Sequence, residues 1–195
     1  AHVYATSQQP PTDVTPPSVP TALEALPGSS TTIELTWTGS SDAGPSTSDT
    51  FDRANGALGG AWTGLSGTMQ IVSQHVEPSA SGTFTTAGLT TWGGSGDQWA
   101  ETAVTVSGLN SGGGPVVRAG SGGANLYLVD YNGRADHKLF KRIGGVLTAL
   151  GGWTDPASPG DVVRQEAIGS TIRVLVNGVQ KVAVTNTGAS ELGRM

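Results

Sequence analysis

From residue 50 onward, apolar and polar residues alternate in short runs, punctuated every few positions by Gly, Ser, Asn, Asp or Pro. A period of two marks a strand with one face buried. The pattern predicts strands at Met69–Val72, Gly82–Leu89, Gln98–Val106, Val116–Ala119, Leu126–Tyr131, Lys138–Ile143, Val146–Leu150, Val162–Ile168, Thr171–Val176 and Val179–Thr185. The last three are the clearest. Ile172, Val174 and Val176 share one face, Arg173 and Leu175 the other, and Asn177-Gly178 then separates two β-rich runs. Asn-Gly tolerates positive φ at both central turn positions, so it reads as a two-residue hairpin. Many short strands with turns between them predict an all-β antiparallel sandwich.

The first 49 residues follow a different rhythm. His2–Ala5 is a short strand candidate, and residues 8–20 (QQPPTDVTPPSVP) hold five prolines, which favour extended polyproline geometry. Residues 1–20 are thus read as an arm and Pro-rich linker. In residues 31–38 (TTIELTWT), Ile33, Leu35 and Trp37 alternate with Glu34 and Thr36, a half-buried strand pattern. Residues 39–48 (GSSDAGPSTS) have linker composition, so 21–49 form a small β appendage and 50–195 the main domain.

Composition narrows the class. The 195 residues are 36% hydrophobic and 13% charged, with 30 glycines and 11 prolines. The glycines have no period of three, so collagen is excluded, and no apolar run approaches the ~20 residues of a membrane span. A net charge of −5 without a basic cluster argues against nucleic acid as a partner. Cys is absent, which removes disulfides, thiolate metal sites and thiol nucleophiles and suits a particle that works outside a cell. Residues 1–10 lack the basic start and apolar centre of a secretory signal.

No catalytic constellation emerges. Asp97 and Glu101 share a strand face with Trp99 between them; four strand steps separate their Cα atoms by ~13 Å, whereas a retaining glycosidase holds its carboxyl groups about 5–5.5 Å apart. Arg164 and Glu166 share a face and read as a structural ion pair. His2, His75 and His137 lie in no metal-spacing or nucleophile-elbow motif, and the polar neighbours of His75 and His137 suggest solvated turns. The glycine runs 112–114 and 120–123 lack the Lys-Ser/Thr of a phosphate loop and read as connections. The expectation is a protein that is not an enzyme and needs no organic cofactor.

Two stretches resemble known families. Residues 13–42, with Pro16-Pro17-x-x-Pro20 and two strands, the second carrying Trp37, resemble the opening of a fibronectin type III domain, whose remaining strands do not follow. From residue 50 the chain resembles the concanavalin A-like, laminin-G-like jelly roll. The resemblance rests on Phe51-Asp52-Arg53-Ala54-Asn55-Gly56-x-Leu58-Gly59-x-x-Trp62, Asp97-Gln98-x-x-Glu101, Gly160-Asp161-x-Val163-Arg164-x-Glu166 and Gly169-x-Thr171-Ile172-x-Val174-x-Val176-Asn177-Gly178. It implies a jelly-roll sandwich lacking one final strand. The two together are similar to minor tail proteins of tailed bacteriophages. That similarity implies a virion component assembled in the host cytoplasm, homo-oligomeric or built against other virion subunits, with host-surface polysaccharide as its partner. The alternative is an accessory carbohydrate-binding module of a secreted bacterial glycosidase.

Sugar recognition needs a flat aromatic with hydroxyl-binding side chains nearby. Trp92 lies in a glycine-rich loop, Trp153 precedes Asp155 in another, and Tyr131-Asn132-Gly133-Arg134 forms an aromatic turn. These six residues, Trp92, Trp153, Tyr131, Asn132, Arg134 and Asp155, are the candidate glycan contacts. The competing reading of Trp92 and Trp153 is that they cap the open ends of the sandwich. Trp37, Trp62 and Trp99 hold positions expected to pack. Several jelly-roll relatives hold Ca²⁺ on loop-tip oxygens, so Asp130, Asn132 and Asp136, spaced i, i+2 and i+6, are the candidate calcium ligands.

Overall fold

The computed structural model describes residues 2–5, 21–29, 32–38, 49–59, 62–80, 84–89, 97–105 and 112–185. Among them there is no α-helix, and hence no helix long and apolar enough to cross a membrane. The strands are β1 (His2–Ala5), β2 (Thr21–Ser29), β3 (Thr32–Thr38), β4 (Gly56–Ala57), β5 (Trp62–Ser66), β6 (Met69–Val72), β7 (His75–Pro78) and β8 (Phe84–Leu89). They continue as β9 (Gln98–Val104), β10 (Gly112–Val117), β11 (Leu126–Asn132), β12 (His137–Ile143), β13 (Val146–Trp153), β14 (Asp161–Ile168), β15 (Thr171–Val176) and β16 (Val179–Thr185). One 3-10 turn, Ser121–Gly123, lies between β10 and β11.

A seven-stranded sheet, ordered β13-β12-β11-β10-β1-β8-β5, forms one layer. Facing it are a four-stranded sheet, β16-β15-β14-β9, and a three-stranded sheet, β4-β6-β7. The four-stranded sheet covers the β10–β13 half, with β9 and β14 against β10 and β16 against β13. The main core fills that space: Val117, Tyr127, Val129, Tyr131 and Leu139 from the large sheet meet Ala100, Val163, Ala167, Ile172, Val174 and Val176. The three-stranded sheet covers β8, where Leu58, Met69, Ile71 and Ala87 pack with Phe51, Trp62 and Val76. The outer face of the large sheet carries a smaller cluster of Val116, Ala119, Leu126 and Leu128. This is the all-β sandwich expected from the alternation.

The Asn-Gly signal is realised. Asn177 and Gly178 have φ of 51° and 79°, the left-handed pair that lets a two-residue turn match strand twist. Asn177 also pins the hairpin to β14, accepting from the Val162 N–H at 2.9 Å and donating to Asp161 at 2.8 Å.

Several expectations need correction. The glycine run 112–114 is not a connection but the first half of β10, buried throughout. A Cβ at Gly114 would sit 2.7 Å from the Val129 carbonyl oxygen, so the close approach of β10 to β11 excludes any side chain there. Tyr131, predicted as the end of a strand, and Asn132 lie within β11, His137 opens β12 and Trp153 ends β13; the last three stand at positions expected to be turns or loops. Strands β5 and β7 were not foreseen, and exposed His75 lies on β7. β2 and β3 pair with each other in antiparallel fashion. The linkers and the last ten residues lie outside the described residues.

Candidate functional site

The loop end that was expected to hold ligand is built as core. Tyr131 is 1% exposed, and its hydroxyl donates to Asp161 Oδ2 at 2.5 Å. Burial, with Asp161 adding to it, raises the phenol well above its ordinary value; the same hydrogen bond, with those from the Ser158 amide and Asn177, lowers the Asp161 carboxyl. His137 is fully buried, stacked 4.2 Å from the Tyr131 ring, with the Trp153 ring tilted against it at 5.1 Å. Its Nδ1 accepts the Asn132 N–H at 3.2 Å, so Nε2 carries the proton donated to the Asp155 carbonyl at 2.8 Å. This is a neutral imidazole locked by two backbone groups, not the solvated turn residue expected.

Tyr131 and Asn132 are therefore removed from the candidate contacts. Trp153 is half-buried against the main core, which favours the capping reading, and its Nε1 is buried without a hydrogen bond. Asp155 is held by Lys181 at 2.5 Å. Arg134 is exposed; Trp92 lies outside the described residues. The calcium grouping also fails on geometry. Asn132 is 1% exposed; its oxygen accepts the Arg134 N–H at 2.9 Å, so its amide nitrogen faces Asp130 and the Asp136 carbonyl. A metal needs oxygen there. Asp136 pairs instead with Lys138 at 2.6 Å, which lowers its carboxyl. Among the described residues no three His, Cys, Asp or Glu side chains gather as a metal site.

A different surface gathers the chemistry. In the four-stranded sheet Ala100, Val163, Gln165, Ala167, Ile172 and Val174 point inward, so Trp99, Glu101, Arg164, Glu166 and Arg173 occupy the outer face. The register sets Trp99 opposite Glu166, Glu101 opposite Arg164, and Glu166 opposite Arg173. The Arg164 guanidinium lies 4.2 Å from the centre of the Trp99 ring. Its Nε donates to Glu166 Oε1 at 2.7 Å, and its terminal nitrogen is 3.9 Å from Glu101. Arg173 Nε donates to the other Glu166 oxygen. The Glu166 side chain is 7% exposed, whereas Glu101 and Arg173 are each 41% exposed.

The result is a patch of one indole, two guanidinium groups and two carboxylates with no net charge. The hydrogen bond to Glu166 uses Nε of Arg173, so its terminal nitrogens are donors available to a ligand. Both Glu101 and Glu166 lie against Arg164. Sequence reasoning recovered the Arg164–Glu166 pair but assigned Trp99 to packing. In the structure Trp99 is out of phase with buried Gln98 and Ala100 and in phase with Glu101.

Neither a family model nor a curated protein matches the chain. Among solved structures, it is similar to the carbohydrate binding module CBM66 from Bacillus subtilis, with 14% identity and a TM-score of 0.45, over 65% of this chain and 80% of that one.

Proposed function

We propose that this chain is a non-catalytic glycan-binding module whose contact surface is the outer face of the β9–β14–β15 sheet. The observation that carries the reading is the Trp99–Arg164 stack framed by Glu101, Glu166 and Arg173. A sugar ring offers apolar C–H faces and a fringe of hydroxyls; flat aromatic and guanidinium surfaces meet the first, and carboxylates and guanidinium N–H groups meet the second. Two positive and two negative groups cancel, which suits an uncharged saccharide. The residues stand on paired strands rather than loops, so the surface is preorganised and loses little entropy on binding.

In the finer form of this proposal the module is carried by a tailed-phage virion as a minor tail or decoration protein and engages host-surface polysaccharide. The resemblances of residues 13–42 and 50–193 support this. The test is a glycan array probed with the full chain, beside a Trp99→Ala/Arg173→Ala variant whose fold is checked by circular dichroism. Binding to uncharged glycans by the native chain and loss in the folded variant is the expected result. Equal binding by both would remove the surface from consideration.

A further inference from the structure

Glu166 differs from the other members of the outer-face patch. Its side chain is buried, whereas those of Arg164, Arg173 and Glu101 are partly exposed. The register places it in the middle of a row, with Trp99 opposite on β9 and Arg173 opposite on β15. Arg164 stands two residues earlier on β14, on the same face. Glu166 is thus the floor of the patch, and the indole and the two guanidinium groups stand around it.

Both of its oxygens are already engaged. Oε1 accepts from Arg164 Nε at 2.7 Å, and Oε2 accepts from Arg173 Nε. Glu101 is the opposite case. Its carboxylate is 3.9 Å from the nearest Arg164 nitrogen, beyond hydrogen-bond reach, so its oxygens are open to hydroxyl donors. Each guanidinium is gripped at Nε, which leaves its two terminal nitrogens and their N–H groups for a ligand.

The shared carboxylate also answers an electrostatic problem. Arg164 and Arg173 are two cations gathered on one small surface, and like charges repel. A single anion between them offsets that repulsion, and a poorly solvated anion holds its partners more firmly than an exposed one. Arginine is a long side chain with much rotamer freedom to lose. Here that freedom is already lost in the folded chain, with the Arg164 guanidinium kept 4.2 Å from the centre of the Trp99 ring.

We propose, resting on the glycan reading of this surface, that Glu166 is its positioning residue. It touches no ligand. It holds Arg164 against the Trp99 indole and turns the terminal N–H groups of both arginines into fixed donor forks for the oxygens of one saccharide, while Glu101 is the carboxylate that meets its hydroxyls. Without Glu166 the ordering of two arginine side chains would fall on the binding step, which corresponds to about tenfold or more in affinity.

The first measurement uses no ligand. In NMR spectra of the nitrogen-15-labelled full chain at pH 6, two arginine Nε–H groups should exchange with water far more slowly than that of exposed Arg134. Arg164→Lys and Arg173→Lys should each remove one of the two signals, and Glu166→Gln should release at least one of them. The second measurement is the array of uncharged glycans. There Glu166→Gln should bind at least about tenfold more weakly than the native chain. In an Arg173→Lys background the same substitution should have a much smaller effect, as expected of a residue that acts through its partner. If Glu166→Gln does not fold, Glu166→Asp takes its place with the same expectations, since it keeps the charge but is one methylene too short to reach both Nε atoms. Fast exchange at both arginines of the native chain would overturn the proposal. So would undiminished glycan binding by a folded variant whose arginines are released, and both of these results leave the glycan reading standing. An equal loss of binding in the two backgrounds would also overturn it, because Glu166 would then act without the arginine. A native chain that binds nothing on the array while both arginines stay protected is instead the failure of the glycan reading, and the positioning role falls with it.

Discussion

Asp49 anchors the entry of the chain into the sandwich, and removing its charge should loosen that entry in a pH-dependent way. Its carboxylate accepts from Arg53 at 2.7 and 3.0 Å, from the Trp62 indole N–H at 2.7 Å and from the Phe51 amide at 2.8 Å. Phe51 in turn packs on Trp62, with ring centres 5.3 Å apart, over the Met69–Ile71 cluster. The Arg53 hydrogen bonds, chiefly, bring the Asp49 carboxyl down from 3.8 to about 2. At ~1.4 kcal/mol per pH unit, that corresponds to roughly 2.5 kcal/mol. Arg53 is 37% exposed, and solvent screening brings the expected contribution to about 1–2 kcal/mol. A depressed carboxyl stabilises fully above its unfolded value, and the contribution fades as pH falls from 3.8 towards 2. Urea unfolding of the native chain and Asp49→Asn, followed by tryptophan fluorescence from pH 7 to pH 2, should show a gap of about 1–2 kcal/mol at neutral pH that closes near pH 2. A gap absent at pH 7, or unchanged at pH 2, would refute the linkage between this carboxylate and the fold.

Other expectations follow from the same geometry. Gly114→Ala should cost about 2 kcal/mol or more and lower Tm by several degrees, since the new Cβ would meet the Val129 oxygen at 2.7 Å; an unchanged Tm would show that β10 and β11 can separate freely. Tyr131→Phe should destabilise by about 1–2 kcal/mol through loss of the bond to Asp161. In the native chain, absorbance at 295 nm should show the Tyr131 phenol ionising above the ordinary tyrosine range, and a normal titration would place its ring in water. Asn177→Ala removes two side-chain hydrogen bonds and puts alanine at φ 51°. A loss of about 2 kcal/mol by urea unfolding is expected, and no loss would show that the hairpin sets its own register.

The fold was legible where hydrophobic alternation and turn chemistry agreed. Ile172, Val174 and Val176 announced their face, Asn177-Gly178 announced its turn, and the observed β15 and β16 keep those bounds. β10 was misread because glycine carries no pattern, and the reason for its glycines is a neighbouring carbonyl that only the folded chain supplies. His137 and Tyr131 were misread for a related reason. Their polar sequence neighbours suggested solvent, but Asp161 and the Asp155 carbonyl, distant in sequence, satisfy them in the interior. The candidate site was half legible. Parity along β14 put Arg164 and Glu166 on one face, but nothing local told whether the Trp99 face looked inward. That depends on which layer β9 joins. Alternation divides residues into two faces without saying which is wet.

The most direct test of the glycan-binding account is calorimetric titration of the full chain and Trp99→Ala with the strongest uncharged oligosaccharide found by array. The native chain should bind and Trp99→Ala should bind at least about tenfold more weakly while unfolding at a similar temperature, since the indole lies outside the core clusters and stacking of a ring on it is worth ~1.4 kcal/mol or more. Equal affinity for the two proteins would contradict the assignment of this sheet face as the binding surface.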